Sequence, residues 1–148
     1  MRIRPALLSD AIEVSALAQQ LGYEARPQQV STFLATLLQR DDHLVLVAED
    51  DSGTVSGWIH VFVTRRPFVA PFAELGGMVV DDAHRRSGLG RALLTGAEAW
   101  AAGAGCSLLR VRTNTRRVEA HLFYSEMGYQ VLKTQTIFEK SLSPARQG

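Results

Sequence analysis

The sequence predicts an α+β protein in which helices cover both faces of a mixed sheet. Segments rich in β-branched residues are concentrated in the middle of the chain, at residues 44–49, 55–63 and 72–80. Segments with apolar residues at helical spacing lie before and after them. A doubly wound parallel sheet would instead alternate strands with helices throughout, so the order of elements favours the α+β class.

Length and composition indicate a single domain. The chain has 148 residues, of which 46% are hydrophobic, which is enough for one core and leaves no room for a second. We therefore predict one domain over residues 1–142 and a polar tail at 143–148. A net charge of +1 gives no general attraction to nucleic acid or to an anionic membrane, so neither is an expected partner.

The numbers and spacing of cysteine and histidine residues indicate the cellular compartment and whether a metal site is expected. Cys106 is the only cysteine, which excludes an intramolecular disulfide and suggests a reducing compartment. The amino terminus lacks the apolar run of a signal peptide, and no apolar stretch approaches the roughly 20 residues of a membrane span. We expect a cytoplasmic protein. His43 and His60 are interpreted as isolated, and no histidine pair has metal-ligand spacing, so no metal is predicted.

A short strand and two helices open the chain. Residues 1–5 have the pattern of the strand. Ser9 or Asp10 can cap a helix whose apolar stripe continues to Gly22, a residue type that favours helix ends. Pro27 suits the first turn of a second helix with apolar residues at helical spacing.

The central strands are predicted from their boundaries. An Asp-Asp-Ser-Gly turn at residues 50–53 joins strands 44–49 and 55–63 as a hairpin. Two prolines within residues 65–71 predict a loop, and residues 72–80 form the next strand.

Helices and strands alternate in the last part of the chain. A helix from Leu89 with one apolar face is followed by a strand at 108–113. Residues 114–127 form a connection and a further helix. Residues 129–133 and 136–140 are predicted to pair as a closing hairpin.

A predicted phosphate site lies at Arg85-Arg86-Ser87-Gly88-Leu89-Gly90, between a strand and a helix. Backbone N–H groups at a helix start have no intrahelical partner, and the helix dipole adds partial positive charge. The glycines allow a phosphate to approach the backbone, and the arginines supply forked donors for its oxygens. The P-loop pattern and the third glycine of a dinucleotide fingerprint are both absent from the sequence.

Two motifs resemble one family. The pattern Arg/Gln-x-x-Gly-x-Gly/Ala, met by Arg85, Gly88 and Gly90, resembles the acetyl-CoA pyrophosphate loop of the GCN5-related N-acetyltransferases (the GNAT superfamily). Residues 114–129 resemble that family's helix with Phe-Tyr and a final Gly-Tyr, and in particular that of aminoalkylphosphonate N-acetyltransferases. The resemblance implies a GNAT-like, mostly antiparallel sheet of about seven strands with helices on both faces. Strands four and five of that fold diverge, and the pantetheine arm lies between them.

The resemblance also implies which residues contact acetyl-CoA. Main-chain groups near Met78 and Val80 would bond the pantetheine amides and the developing oxyanion. The implied contacts to the diphosphate are Arg85, Arg86, Ser87, Gly88, Leu89, Gly90 and Arg91. Asn114 either bonds the cofactor arm, as in similar enzymes, or caps the helix that follows it.

Two residues are candidates for proton transfer. Tyr124 has the family's Phe-Tyr position and is the implied general acid for the departing thiolate; the alternative is a core aromatic residue. Glu74 lies eleven residues before Arg85, where histone-acetylating members carry a catalytic glutamate. Many small-molecule members carry an acid two positions later, where this chain has Gly76. Glu74 is either a base that acts through a water or an exposed carboxylate, and a neutral amine would need no base.

The predicted function is direct transfer of an acetyl group from acetyl-CoA to a primary amine of a small molecule. One alternative is acetylation of a protein lysine or amino terminus, and another is a non-catalytic acyl-CoA sensor. The loops at residues 22–27 and 65–71 are expected to border the acceptor. Similar enzymes are commonly dimers, so a homodimer is an oligomeric state to test.

Overall fold

A computed structural model describes residues 1–85 and 87–143 of the chain. It divides into two compact units, Met1–Arg112 and a second unit that begins at Thr113. Within these residues, the first unit holds a sheet and three α-helices, and the second unit holds one α-helix. A single domain over residues 1–142 stays a prediction, and the predicted tail lies outside the described residues from residue 144 onward.

The first unit is built on a mixed, mostly antiparallel sheet, which confirms the predicted α+β class. Its strands follow chain order across the sheet: β1 (Arg2–Pro5), β2 (His43–Glu49), β3 (Val55–Arg66), β4 (Val69–Val80) and β5 (Leu109–Arg110). The first four strands are antiparallel neighbours, and β5 is parallel to β4. A parallel neighbour requires a long crossover connection, which here contains a helix.

Three helices cover the two faces of the sheet: α1 (Ala11–Gln20), α2 (Pro27–Leu37) and α3 (Leu89–Gly103). Successive side chains of a strand point to opposite faces. Val45 and Val47 belong to one buried cluster with residues of α1 and α2. Leu46 instead faces Gly96 of α3, where an added Cβ would lie 3.0 Å from the leucine side chain. We call these the α1–α2 face and the α3 face.

The predicted loop at residues 65–71 is mostly strand. β3 continues to Arg66 and β4 begins at Val69, so a two-residue turn joins them. The ladder shifts register between Thr64 and Arg66, close to Pro71 on β4. Proline has no N–H to donate, so its effect here is an irregular ladder within a long hairpin.

The prediction of about seven strands is wrong, because the described residues form five. Residues 129–133 and 136–140, predicted as a hairpin, have no strand conformation. They belong to the second unit, whose described residues include no strand for them to pair with. An isolated hairpin is marginal in water, and apolar side chains such as Phe138 are exposed there. The predicted strand at 108–113 is likewise shorter, as Leu109–Arg110.

The helices of the described residues can be compared with the requirements for crossing a membrane. None of the helices in residues 1–85 and 87–143 has both the length and the apolar character needed to cross a bilayer.

An ion pair between half-buried Arg4 and buried Asp10 fixes the start of α1 to the sheet. Arg4 of β1 donates hydrogen bonds of 2.8 Å to both carboxylate oxygens of Asp10 and one of 2.5 Å to Glu49 of β2. Asp10 also accepts the N–H of Leu7 and is 4% exposed. The Asp10 side chain therefore makes no capping bond to α1. The Arg4 guanidinium lowers the pKa of the Asp10 carboxyl.

We predict that Asp10→Ala lowers the free energy of unfolding by about 3 kcal/mol, because the half-buried guanidinium of Arg4 is left without its main partner. Since the pKa of Asp10 is lowered in the folded state, its contribution is complete above the usual carboxyl range. It disappears as the pH falls through the folded-state pKa. Urea unfolding at neutral and at strongly acidic pH should therefore show a gap between wild type and variant that closes in acid.

The matched control is Asp51→Ala, which removes the partner of the amino terminus from a site where the Asp51 side chain is 98% exposed. We expect it to change the free energy of unfolding by less than about 0.5 kcal/mol. Equal losses from the two variants would contradict the structural role of the Arg4–Asp10 pair.

Candidate active site

Helix α3 begins in a conformation suited to an anion. Its N-cap residue, Gly88, has φ +86°, and no described side chain bonds the N–H groups of the first turn. An added Cβ at Gly88 would meet no atom within 4 Å, so the requirement for glycine here is conformational. The start of α3 therefore presents unbonded backbone donors together with the positive end of the helix dipole.

The turn that leads to α3 is attached to two neighbouring elements. Gln20 at the end of α1 donates to Asp81 at 2.9 Å and accepts the N–H of Asp82 at 3.2 Å. His84 lies between two carboxylates, 3.1 Å from Asp81 and 3.4 Å from Asp50. Hydrogen bonds from Gln20 and His84 lower the pKa of Asp81. These contacts fix the entry to the loop without using the first N–H groups of α3.

The charged residues of the predicted loop lie at its surface. Arg85 pairs with Asp82 at 2.8 Å, and both side chains are more than half exposed. Such exposed pairs are weak, so the Arg85 guanidinium can exchange Asp82 for a phosphate oxygen at little cost. Arg91 is exposed on the first turn of α3. Arg86, also predicted as a contact, lies outside the described residues.

The remaining loop residues contribute main-chain groups. The Ser87 hydroxyl donates to the backbone oxygen of His84. The Leu89 side chain is 3% exposed and belongs to the core, so only its N–H faces the loop. Gly90 is half-buried within the first turn. Side chains at positions 87–90 therefore do not block the approach to the backbone.

The edge of β4 is unpaired next to this loop. The parallel ladder between β4 and β5 consists of Ala73 with Leu109 and Glu74 with Arg110. From residue 75 to the end of β4, the edge that faces β5 has no strand partner among the described residues. This stretch includes Met78 and Val80, whose opposite edge pairs with β3. The ladder between β4 and β5 therefore ends at Glu74, and main-chain groups of β4 are available beyond that point. The implied divergence of strands four and five stays a prediction.

Glu74 is half-buried and bonded on both carboxylate oxygens. Thr64 donates to Oε2 at 2.7 Å, and Arg112 donates to Oε1 at 2.8 Å. The side chain is 12% exposed, so the alternative of an exposed strand-end carboxylate is wrong. Burial raises the pKa of Glu74, but the hydrogen bonds from Thr64 and Arg112 outweigh it and lower the pKa below its usual value.

Two histidines that the sequence analysis treated as isolated are in contact. The Nδ1 atom of His43 lies 3.0 Å from Nε2 of His60, and the rings are stacked. A bulge between Ala48 and Glu49 shifts the β2–β3 register by one residue. Without that shift the two histidines would point to opposite faces, which is why the hairpin turn alone could not predict the pair.

A second bulge, on β4, leaves room for the His60 ring. Gly77 pairs with His60 and Leu75 pairs with Val61, which leaves Gly76 as the extra residue of β4. A Cβ added at Gly76 would lie 2.2 Å from Nδ1 of His60. The position at which many similar small-molecule enzymes carry an acid is therefore covered here by an imidazole.

In the second unit, Asn114 serves the turn before α4 (Val118–Glu126). Its Oδ1 accepts the N–H of Arg116 at 2.9 Å, and its backbone oxygen accepts from Arg117 at 3.0 Å. His121 lies 2.9 Å from the Thr113 hydroxyl and 3.1 Å from the Asn114 oxygen. Asn114 therefore forms the turn and does not cap α4, whose N-cap is Arg117, so the predicted helix cap is wrong. A contact to the cofactor arm stays a prediction.

Tyr124 lies on α4, in the unit that begins at Thr113. Its ring makes edge contacts with Phe123 at 5.2 Å and Tyr129 at 5.8 Å. Burial raises the pKa of the Tyr124 phenol, which the charge of Arg117 only partly opposes. The helix ends before Gly128, whose φ of +91° confirms the predicted left-handed stop. A phenol that stays protonated at neutral pH is suited to donate a proton.

The predicted site residues therefore fall into two groups. Glu74, Met78, Val80 and the described loop residues follow one another along β4 and into α3, whereas Asn114 and Tyr124 belong to the second unit. No three potential metal ligands cluster anywhere in residues 1–85 and 87–143.

Comparisons with known proteins agree with this arrangement. A model of the acetyltransferase (GNAT) family matches residues 11–129. The chain is 32% identical over 76 residues to an aminoglycoside N(6')-acetyltransferase type 1 from Stenotrophomonas maltophilia. That match covers 51% of this chain and 50% of the relative, so the matched part spans about half the length of the curated enzyme.

Solved structures share the fold at lower identity. An aminoglycoside 6'-N-acetyltransferase from Acinetobacter haemolyticus has a TM-score of 0.83 at 23% identity, over 97% of this chain and 100% of that chain. An aminoglycoside N-acetyltransferase in complex with CoA has a TM-score of 0.82 at 17% identity, over 95% of this chain and 99% of that chain. These relatives are named for aminoglycosides, in place of the aminoalkylphosphonate enzymes that the second motif resembles.

We predict that Gly88→Ala weakens binding of coenzyme A roughly tenfold to hundredfold in calorimetry. Alanine disfavours φ +86°, and a shifted backbone would lose about one charge-assisted hydrogen bond to phosphate, worth about 1.5–3 kcal/mol.

Gly53→Ala is the matched control, because Gly53 has φ +84° and an added Cβ there also meets no atom within 4 Å. Both variants should lose about 1 kcal/mol of folding free energy, but only Gly88→Ala should lose affinity. Unchanged affinity in Gly88→Ala would show that the diphosphate binds elsewhere.

Proposed function

Because the chain belongs to the acetyltransferase (GNAT) family, we propose that it transfers an acetyl group directly to a primary amine of a small molecule. The protein is an N-acetyltransferase, and acetyl-CoA is its acetyl donor. The observation that carries the proposal is the uncapped start of α3 beside the unpaired edge of β4.

The residues present fit coenzyme A. Main-chain N–H groups from Ser87 to Arg91 would hold the diphosphate, with charge from Arg85 and Arg86. The free edge of β4 at Met78 and Val80 would bond the pantetheine amides as a neighbouring strand does. One N–H of this edge is also suited to stabilise the oxyanion that develops on the thioester carbonyl. The Asn114 side chain is proposed as a further contact to the arm.

Tyr124 is proposed as the general acid. When the carbon–sulfur bond breaks, the thiolate takes up a proton, and a phenol with a raised pKa retains its proton until that moment. Two observations support the assignment: Tyr124 has the Phe-Tyr position of the second motif, and its ring is held by Phe123 and Tyr129.

Glu74 is proposed to act on the acceptor side. Thr64 and Arg112 keep its carboxylate ionised, so it attracts an ammonium group and orders the water that takes the first proton from it. This charge favours amines of cationic molecules. We therefore propose an aminoglycoside or a similar polyamine as acceptor, in line with the names of the relatives.

The proposal also covers the cellular location of the protein and its oligomeric state. The Cys106 thiol is buried at 8% exposure and packs with Ala73 and Ala101, as expected for a structural cysteine of a reducing compartment. A cytoplasmic location is proposed on that basis. A homodimer is proposed from the resemblance, and light scattering at several concentrations tests it.

The function is tested by measuring release of free thiol from acetyl-CoA in the presence of polyamines, aminoglycosides, aminoalkylphosphonates or peptides. We expect turnover with an aminoglycoside or a polyamine. Turnover with peptides alone would indicate a protein acetyltransferase, and binding of acetyl-CoA without any turnover would indicate a sensor; either result would overturn the proposal.

We predict that Tyr124→Phe lowers kcat about a hundredfold or more and leaves the affinity for coenzyme A unchanged, because the general acid is lost and the ring is kept. Tyr129→Phe removes a hydroxyl from the neighbouring ring and should retain the wild-type kcat. A Tyr124→Phe enzyme with normal kcat would remove Tyr124 from the mechanism.

Glu74→Gln is predicted to raise KM for a cationic acceptor more than it lowers kcat. The substitution removes the negative charge but keeps hydrogen-bonding groups for Thr64 and Arg112. Steady-state kinetics with cationic acceptors measure both constants. A KM unaffected by the substitution would contradict the proposed role.

A further inference from the structure

We propose that His60 accepts a proton from the acceptor nitrogen and transfers it to His43, so that the two rings form a proton relay on the α1–α2 face of the sheet. This inference rests on the proposed function. It assigns a role to a histidine pair that the mechanism above does not use.

The geometry of the pair gives the relay a direction. Nε2 of His60 lies 3.0 Å from Nδ1 of His43, and Nε2 of His43 lies 3.9 Å from an oxygen of Asp42. The other nitrogen of His60, Nδ1, lies against Gly76, at the bulge of β4. The chain of groups therefore leads from the bulge through both rings to Asp42.

The surroundings of His60 keep it neutral. Phe33 of α2 contacts the ring edge-on at 5.2 Å, Phe62 of β3 stacks on it at 5.4 Å, and the residue is 9% exposed. Burial, with a smaller contribution from His43, lowers the pKa of His60 to about 4. At neutral pH its lone pair is available, and a proton that arrives there is not retained.

The end of the relay is suited to hold positive charge and to release it. Asp42 receives two hydrogen bonds of 2.9 Å from Arg40, which lowers its pKa to about 2 and keeps it ionised beside His43. Asp42 also lines an open polar cavity of about 510 Å³, together with Gln39, Arg40, Asp41 and Arg65. A proton on His43 can therefore leave to solvent.

The proton balance assigns separate tasks to Glu74 and His60. An ammonium group must lose one proton before its nitrogen can attack, and Glu74 acts at that stage. The carbon–nitrogen bond then forms, the nitrogen becomes positively charged and acidic, and its N–H bond breaks as Nδ1 of His60 takes the proton. The Nε2 proton of His60 moves to Nδ1 of His43, while the thiolate takes its proton from Tyr124.

The relay sets the pH dependence of turnover. The titratable groups that face the pair are Asp42, beside β2, and Glu74, on the same face of β4; α2 and β3 present Phe33 and Phe62. The pair can accept a proton from the substrate only while it is neutral. The value of kcat should therefore fall as the pH is lowered and the pair takes up a proton from solvent.

The first test compares pH profiles of kcat for wild type, His60→Gln and His43→Gln, using an acceptor that the wild type acetylates. We expect His60→Gln to lose about a hundredfold or more in kcat. His43→Gln should lose less in kcat and should move the acid limb to lower pH, because His60, whose pKa burial lowers to about 4, is then the remaining imidazole of the relay. Phe33→Leu, which changes packing at His60 but keeps both imidazoles, should keep the limb. Normal kcat in His60→Gln, or an acid limb at the wild-type pH in His43→Gln, would overturn the relay.

The second test does not depend on turnover or on the fold of a variant. Long-range nitrogen–proton NMR of the wild-type protein reports which ring nitrogen carries the proton. The relay requires Nε2–H on both His60 and His43, with Nδ1 of His60 unprotonated. A proton on Nδ1 of His60 would overturn the relay even if acetyl transfer is observed. The expected tautomers in a protein that turns over no amine would instead mean that the proposed function had failed.

Discussion

The ladder between β3 and β4, with its extra residue at Gly76, is the constraint on which the first unit depends. Just before the bulge, Ala73 and Glu74 are paired on both edges of β4; beyond the bulge, the strand is paired with β3 alone. The same strand then ends where the turn to α3 begins. The β3–β4 hairpin thus determines where the edge of β4 becomes free, where the loop before α3 begins and how much room the His60 ring has.

Charge is arranged differently at the two candidate functional regions of the first unit. The start of α3 offers backbone donors, and its arginine is only loosely held by a surface ion pair, so anion binding displaces little. On the α1–α2 face, Glu74 has both oxygens occupied and Asp42 is bonded twice by Arg40. Firmly ionised carboxylates of this kind hold charge and exchange protons poorly, which is why the proposed relay uses imidazoles.

Local chemistry in the sequence was enough for the helices, the central hairpin and the glycine turn before α3, because glycine, proline and apolar spacing act over a few residues. The class of the fold followed from their order. Strand pairing was less predictable: residues 129–133 and 136–140 have strand-like composition, but pairing needs a partner that composition does not reveal. The contact of His43 with His60 depends on a one-residue register shift between Ala48 and Glu49. The residue types at these positions do not predict that shift.

The crowding between Gly76 and His60 has an evolutionary consequence. Any side chain at position 76 would collide with the imidazole, so a chain of this kind cannot gain a carboxylate there by a single substitution while His60 is present. If His60 were replaced first, its ring would no longer fill the space beside Phe33, and position 76 would still lack an acidic residue. The two residues should therefore change together among descendants of this protein, and lineages with an acid at the bulge are separated from it by an unfavourable intermediate.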